Sequence, residues 1–414
     1  MITIYSTYQT ARLSYVLDFC FKDKGVDYQL IQNKSEWDES STQSINYTSE
    51  PLTADLQIYP QGILFESDIY PSKKLDYNNS EFLLDGVCDE LGIIFFLLTN
   101  YFEYFNQDRD QHDRYQSKNH PLVKLNKHTE PVVDQLVKDI WGKLGLEYET
   151  VAKGFKLQPT FDIDIAWAYK ERPLKRAIGG AIKGGKPIER LQVLAGSKKD
   201  PYDTFDSIKN IAANHKETTC FYLLGDYGPY DKNIAWDNKA YQSLINEMDQ
   251  SILSGIHPSY QSYLDSNQIK VEKKRLEIIT KKQINRSRQH FLRLSIPRSY
   301  KLLIDVGINN DYSMGFADNV GFRSGTSFPY SFFDLTKNEK TSLIVHPFAY
   351  MDSTFKDYLK LTAEESIPLM KEMKSKIKEV GGTFCFIWHN SSIHNTGEWS
   401  EWRAVLDKTL ENEA

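Results

Sequence analysis

Residues 362–389 read TAEESIPLMKEMKSKIKEVGGTFCFIWH. From Thr362 to Val380 the apolar residues recur at three-to-four spacing, the period of an amphipathic helix. Two glycines follow, and then TFCFIWH, a run too apolar to be a loop, which predicts a strand that delivers His389 and Asn390 at its end. Upstream the same alternation repeats. LQPTFDIDIA (157–166) is strand-like, DTFDSIKNIAANH (203–215) helical, TTCFYLLGD (218–226) strand-like and AYQSLINEMDQSI (240–252) helical. SGIHPSY (254–260) reads as a strand end and EKKRLEIITKK (272–282) as a helix. The run continues through RQHFLRLS and SYKLLIDVG to a strand pair around TSLIVHPFAY. Such alternation predicts parallel βα units, hence an α/β fold with either a barrel or a doubly wound sheet. Polar residues close several strands: Asp162, Asp164, Asp226, His257 and His389. Strand C-termini are where such folds build their sites.

The first 150 residues differ. MITIYST, DYQLIQN and ADLQIYP alternate in short stretches between turn residues, which suggests a smaller mixed α/β unit. Residues 82–106 have helical spacing, a polar segment follows, and a second helix is expected from Glu130 to Leu144 with Pro131 in its first turn. The character changes near Gly154, so the boundary is expected at 148–156, giving domains 1–150 and 151–414. A chain of 414 residues is long enough for two or three domains of about 100–200 residues.

With 40% hydrophobic and 26% charged residues, the composition is that of a chain with a real core. A net charge of -6 gives no reason to expect a nucleic-acid partner. Four scattered cysteines, Cys20, Cys88, Cys220 and Cys385, form no CxxC pair and suit small core residues. The longest apolar run, LGIIFFLL, is too short to span a bilayer, and the N-terminus lacks the pattern of a signal peptide, so a cytoplasmic location is expected.

Four stretches can carry chemistry. In PTFDIDIAW (159–167), Asp162 and Asp164 project to the same side of a strand, and two like charges side by side require a cation or a proton between them. Solvent-facing acids on an edge strand would give the same pattern. SGIHPSY supplies His257, NRSRQHFLRL supplies Arg288 and His290, and the strand TFCFIWH supplies His389. Each, taken singly, also fits a surface or core role. Together, Asp and His ligands with a free position suit a divalent cation such as zinc, which lowers the pKa of bound water and polarises a carbonyl. A separate carboxylate to take a proton and a histidine to give one complete a set that hydrolyses amides or esters.

Beyond these residues, the chain resembles the polysaccharide deacetylases of the NodB-like carbohydrate esterase superfamily, whose fold is a distorted (β/α) barrel. Thr160-Phe161-Asp162 matches the family's Thr-Phe-Asp-Asp motif, with the second aspartate displaced by one residue to Asp164. The resemblance implies that Asp162 is the general base and Asp164 a metal ligand. Only His257 remains of the usual His-x-x-x-His pair, since Gln261 stands four residues on. The chain is similar here to a divergent Bacteroidetes-type branch, in which a His-x-Ser-Tyr loop precedes an Arg-x-His-Phe/Tyr-Leu segment. This implies His290 as third ligand and Arg288 as the arginine that orients the base. DYSMGFAD (311–318) and GFRSGT (321–326) belong to the same likeness, with Arg323 lining the substrate pocket, and FIWHN implies His389 as general acid. Asp311, Tyr260 and Trp167 complete the expected substrate-binding set. The N-terminal part resembles the domain of unknown function that precedes such deacetylase domains, through its YFEYFNQDRDQHDRYQ segment; this implies organisation rather than chemistry.

The expected function is removal of an N- or O-linked acetyl group from a sugar or polysaccharide, with zinc, cobalt, manganese or nickel as the metal. A non-catalytic carbohydrate-binding or assembly protein on the same scaffold, motivated by the missing second histidine, and hydrolysis of another C–N bond stay open.

Overall fold

Strand β7 (Lys156–Ile163) is flanked on both sides, and all but its first two residues are buried. The computed structural model describes residues 1–38, 41–106, 108–148, 151, 154–172, 187–394 and 396–411. β7 pairs in parallel with β8 (Thr219–Tyr222) and with β15 (Thr383–His389). Burial on both faces is the signature of parallel strands covered by helices. Pro159 is tolerated in this central position because the β8 ladder starts only at Thr160.

The sheet continues from β8 through β9 (Leu253–Ile256), β10 (Arg286–Ser287) and β11 (Asn310–Asp311) to the antiparallel pair β12 (Tyr330–Asp334) and β13 (Glu339–Val345). On the other side of β15 lies β14 (Tyr350–Met351). The hydrogen-bonded order of nine strands is thus β12-β13-β11-β10-β9-β8-β7-β15-β14. Residues 346–349 join β13 to β14, and so connect the two sides of that order along one run of chain. Within this run His346 N–H donates to the Asp311 carbonyl (2.8 Å), Phe348 N–H to Met314 (3.0 Å) and Ala349 N–H to Cys385 (2.8 Å).

Side-chain alternation divides two apolar clusters between the faces of this sheet. Cys220, Tyr222, Phe384, Phe386 and Trp388 join the large core. Their neighbours Phe221, Cys385 and Ile387 meet Leu292, Tyr312, Phe348 and Met351 in a small separate cluster. Glycine makes this close packing possible. A Cβ on Gly255 would stand 2.5 Å from the Phe221 ring, and one on Gly315 would stand 2.3 Å from Phe348.

The N-terminal residues form a parallel sheet, β2-β1-β3-β4, from β1 (Ile2–Tyr5), β2 (Tyr28–Ile31), β3 (Ser44–Asn46) and β4 (Leu56–Gln57), and a hairpin, β5 (Leu75–Asn78) with β6 (Glu81–Leu84). The helix expected over 82–106 is shorter than that span. Its first residues are strand β6, and Asp85 and Gly86 turn the chain at positive φ. The helix spans Glu90–Leu98, capped by Asp89, whose side chain accepts from the Gly92 N–H. The expected boundary at 148–156 falls partly outside the described residues. The helix Val132–Lys143 follows Pro131, close to its expected span. The helix Ala363–Val380 opens with a capping box between Thr362 and Glu365 and ends at Gly381 in the left-handed region.

Candidate metal centre and active site

Asp162 is the last residue but one of β7 and Asp164 lies just beyond the strand; His257 follows β9, Arg288 and His290 follow β10, and His389 ends β15. Parallel strands point all these C-termini the same way, so residues far apart in sequence meet at one end of the sheet.

Asp164, His257 and His290 present ligand atoms that all lie within 4.8 Å of one another. His257 Nε2 is 3.2 Å from Asp164 Oδ1, and His290 Nε2 is 3.6 Å from Asp164 Oδ2. Each ring is held by its other nitrogen. His257 Nδ1 donates to the Arg288 carbonyl (2.6 Å), and His290 Nδ1 donates to Asp231 Oδ1 (2.9 Å). Since those oxygens only accept, each Nδ1 carries a proton and each Nε2 is left to take a proton or a metal. Asp164 Oδ1 is buried with no hydrogen-bond partner among the described residues, although His257 stands close to it. Two imidazole nitrogens and an unpartnered carboxylate oxygen facing one point fit a divalent cation, with two nitrogens and one oxygen as a zinc-type donor set.

These groups also shift one another's titration. Burial works against charge on Asp164, yet the imidazoles of His290, His257 and His389 override it and hold its carboxyl well below the usual carboxylate range. Burial likewise opposes charge on His290, but Asp164 and Asp231 lift its pKa to about 9.

Asp162 sits beside this cluster with a different set of partners. Arg288, fully buried, donates from Nη1 to Asp162 Oδ1 (2.8 Å), from Nη2 to Thr160 Oγ1 (2.8 Å) and from Nε to the Tyr312 carbonyl (2.9 Å). Its guanidinium carbon lies 4.5 Å from the centre of the Phe221 ring. The guanidinium thus fixes one oxygen of Asp162, and Oδ2 faces His257 Nε2 at 3.8 Å. Opposite stands His389. Its Nδ1 donates to Asp352 Oδ1 (2.8 Å), and its backbone N–H donates to Oδ2 of the same carboxylate (2.9 Å). Its Nε2 is 3.8 Å from Asp164 Oδ2. Burial disfavours a charged His389, but Asp352, Asp164 and Asp162 lift its pKa to about 10, so this imidazole holds a proton to give.

A cavity of about 160 Å³ opens onto these groups, lined among others by Asp162, Asp164, His257, His290 and His389. Six of the expected residues therefore meet at one place, with Arg288 behind Asp162. The four expected substrate-binding residues do not line the cavity. Arg323 is buried and bonds Glu103 through two nitrogens (2.7 and 2.6 Å). Asp311 is buried and accepts from Ser313, and burial raises its pKa to about 6. Trp167 packs edge-on against Phe205 and Tyr241. Tyr260 stacks on Tyr230, 4.1 Å between centroids. Asp226 pairs with Arg275 at the surface; the acid that enters the site from its loop is Asp231.

Asp231, Asp352, Arg114 and Tyr358 are the residues that sequence reasoning missed. Asp352 carries the strand-end signal, because it follows β14. Asp231 lies in an irregular loop, and Arg114 arrives from the N-terminal part, where no periodic pattern points at a site.

A family described as a family of unknown function (DUF7033) matches residues 2–149. No curated protein matches the chain. Among solved structures, the chain is similar to a putative polysaccharide deacetylase from Mycobacterium smegmatis, with 14% identity, a TM-score of 0.42, and coverage of 63% of this chain and 86% of that one. It is also similar to the polysaccharide deacetylase Bc1974 from Bacillus cereus, with 11% identity, a TM-score of 0.30 and coverage of 62% and 85%. A 4-alpha-glucanotransferase from Thermococcus litoralis matches at 13% identity and a TM-score of 0.35, over 62% of this chain and 38% of that one. Among the described residues no helix is long and apolar enough to cross a membrane.

Proposed function

We propose that the chain is a metal-dependent hydrolase that removes an acetyl group from a sugar or polysaccharide. The observation that carries this reading is the division of labour among the strand-end groups. Asp164, His257 and His290 turn free ligand atoms toward one point, while Asp162, two residues earlier in the chain, is claimed by Arg288 instead. A divalent ion held by the three, zinc being the best fit, would activate water and polarise the acetyl carbonyl. Asp162 accepts the proton of the attacking water; its bond to Arg288 holds the carboxylate in place. His389, braced by Asp352, gives its Nε2 proton to the departing amine or alcohol. Acetate and the deacetylated sugar leave, and proton exchange with solvent restores both groups.

The resemblance in TFDID, HPSY, RQHFL and FIWHN supports a carbohydrate substrate and a distorted (β/α) barrel in residues 151–414, with residues 1–150 as a separate accessory unit. The chain running from β13 into β14, in contact with both sides of the sheet order, agrees with such a barrel. The test is acetate release from acetylated sugars by zinc-, cobalt- or manganese-loaded protein. Asp162→Asn should lower kcat by about 10²–10⁴ while metal content is unchanged. Full activity in that variant would remove Asp162 from its role.

A further inference from the structure

One residue of the cavity lining, Arg114, comes from the N-terminal part. Arg114 lines the cavity together with Phe291, Ser353 and Tyr358. Its position is built, not incidental. Asp110 Oδ2 accepts from Arg114 Nε (2.7 Å) and lies 2.7 Å from Nη2, while Oδ1 accepts the backbone N–H groups of His112 and Arg114 (2.8 and 2.9 Å). The loop is also tied to the histidine loop beyond β10. Arg293 Nε donates to the His112 carbonyl (2.8 Å), and Arg114 Nη1 lies 3.3 Å from the Phe291 carbonyl it donates to. Phe291 itself stands at φ 59, a conformation that bulky residues hold only when their surroundings enforce it.

Arg114 Nη1 also donates to the Tyr358 hydroxyl oxygen (3.0 Å). That oxygen acts as acceptor there, so the hydroxyl hydrogen is left to donate elsewhere, and Tyr358 is 40% exposed beside the cavity. Asp110 already balances the charge of the guanidinium, so the pair offers hydrogen bonds to a neutral oxygen rather than a seat for an anion. The cavity, about 160 Å³, is smaller than the roughly 300–1,000 Å³ of pockets for drug-sized ligands, and suits one ring and its acetyl group rather than several sugars at once.

We propose that Arg114 and Tyr358 form the specificity-determining wall of this pocket. They bind hydroxyl or ring oxygens of the single sugar that carries the acetyl group, so that the N-terminal residues take part in selecting the substrate. This rests on the deacetylase reading above. The wall favours a free sugar unit or a chain end over the interior of a polymer.

The experiment compares full-length, zinc-loaded wild type with Tyr358→Phe and Arg114→Lys on three probes: N-acetylglucosamine, glucose pentaacetate and 4-nitrophenyl acetate. The last carries the acyl group without a sugar. The ratio of kcat/KM on the hydrolysed sugar to that on 4-nitrophenyl acetate should fall about tenfold in Tyr358→Phe, mainly through KM, and further in Arg114→Lys. An unchanged ratio, with sugar and 4-nitrophenyl acetate affected alike, would make the two residues mere braces of the fold and overturn the proposal, leaving the deacetylase reading intact. Wild type that hydrolyses 4-nitrophenyl acetate and an acetylated polysaccharide but neither single sugar overturns this proposal and leaves the deacetylase reading; wild type that releases acetate from no acetylated sugar or polysaccharide overturns both.

Discussion

Asp231 stands behind His290, and the bond between them fixes which ring nitrogen is left free. Its Oδ1 accepts from His290 Nδ1 and from the Tyr260 N–H (2.8 Å), so one carboxylate fixes both the tautomer of His290 and the start of the neighbouring turn. Removing its charge weakens the basicity of Nε2 without touching a ligand atom. Asp231→Asn should therefore lower zinc affinity by about 10–100-fold, read by competition against a chromogenic chelator, and a wild-type constant would show that His290 needs no such partner. At this scale the sequence was legible where a polar side chain interrupts the end of an apolar strand, as at Asp162, His257 and His389. It was less legible where an attractive residue type lay in a stretch of family likeness. Arg323 and Asp311 have the chemistry of binding residues, but burial gave them partners inside the protein, Glu103 for the one and Ser313 for the other.

Elements were legible in proportion to their length. The helix Ala363–Val380 and the strand β15 show their periods openly, whereas β10 and β11 are two residues each and owe their existence to neighbouring strands rather than to any local pattern. The path of the run from β13 to β14 was equally hidden, because its turn-like HPFA is held by hydrogen bonds to residues far away in sequence. The segment Tyr101–Tyr104 shows what such long-range partners can weigh. Glu103 is buried in this short turn, and its carboxylate carries the Arg323 guanidinium across a sequence separation of 220 residues. Glu103→Ala leaves that cation buried without its counter-charge, a change that costs roughly 3–5 kcal/mol. Chemical denaturation should show a loss of that size in a single transition; a loss below about 1 kcal/mol would mean that water replaces the carboxylate.

At the level of the whole molecule, the N-terminal residues and the nine-stranded sheet meet around His120. The ring packs against Phe102 and Phe316, with centroids 4.6 and 5.1 Å away. Its Nε2 donates to the Arg323 carbonyl (2.8 Å) and its Nδ1 accepts from the Leu122 N–H (3.1 Å), so both nitrogens are used by the neutral tautomer. Burial drives its pKa down to about 3; the bond to the Arg323 carbonyl opposes this and the Arg323 charge adds to it. Between pH 6.5 and about 3 the unfolded chain therefore binds a proton at this site that the native state refuses, and stability drops as the pH falls through that window. Buried Asp89 and Asp134, both raised to about 6, act in the opposite sense, since they hold protons in the native state that the unfolded chain has released. The wild-type profile mixes these contributions, and a difference isolates one. His120→Gln keeps a donor for the Arg323 carbonyl and removes the titrating ring. Wild type should be the more stable at pH 7, and its advantage should shrink steadily as the pH is lowered from 6.5 toward 4, measured as the gap between urea midpoints. A gap that stays constant over that range would mean that His120 takes up its proton without disturbing the junction.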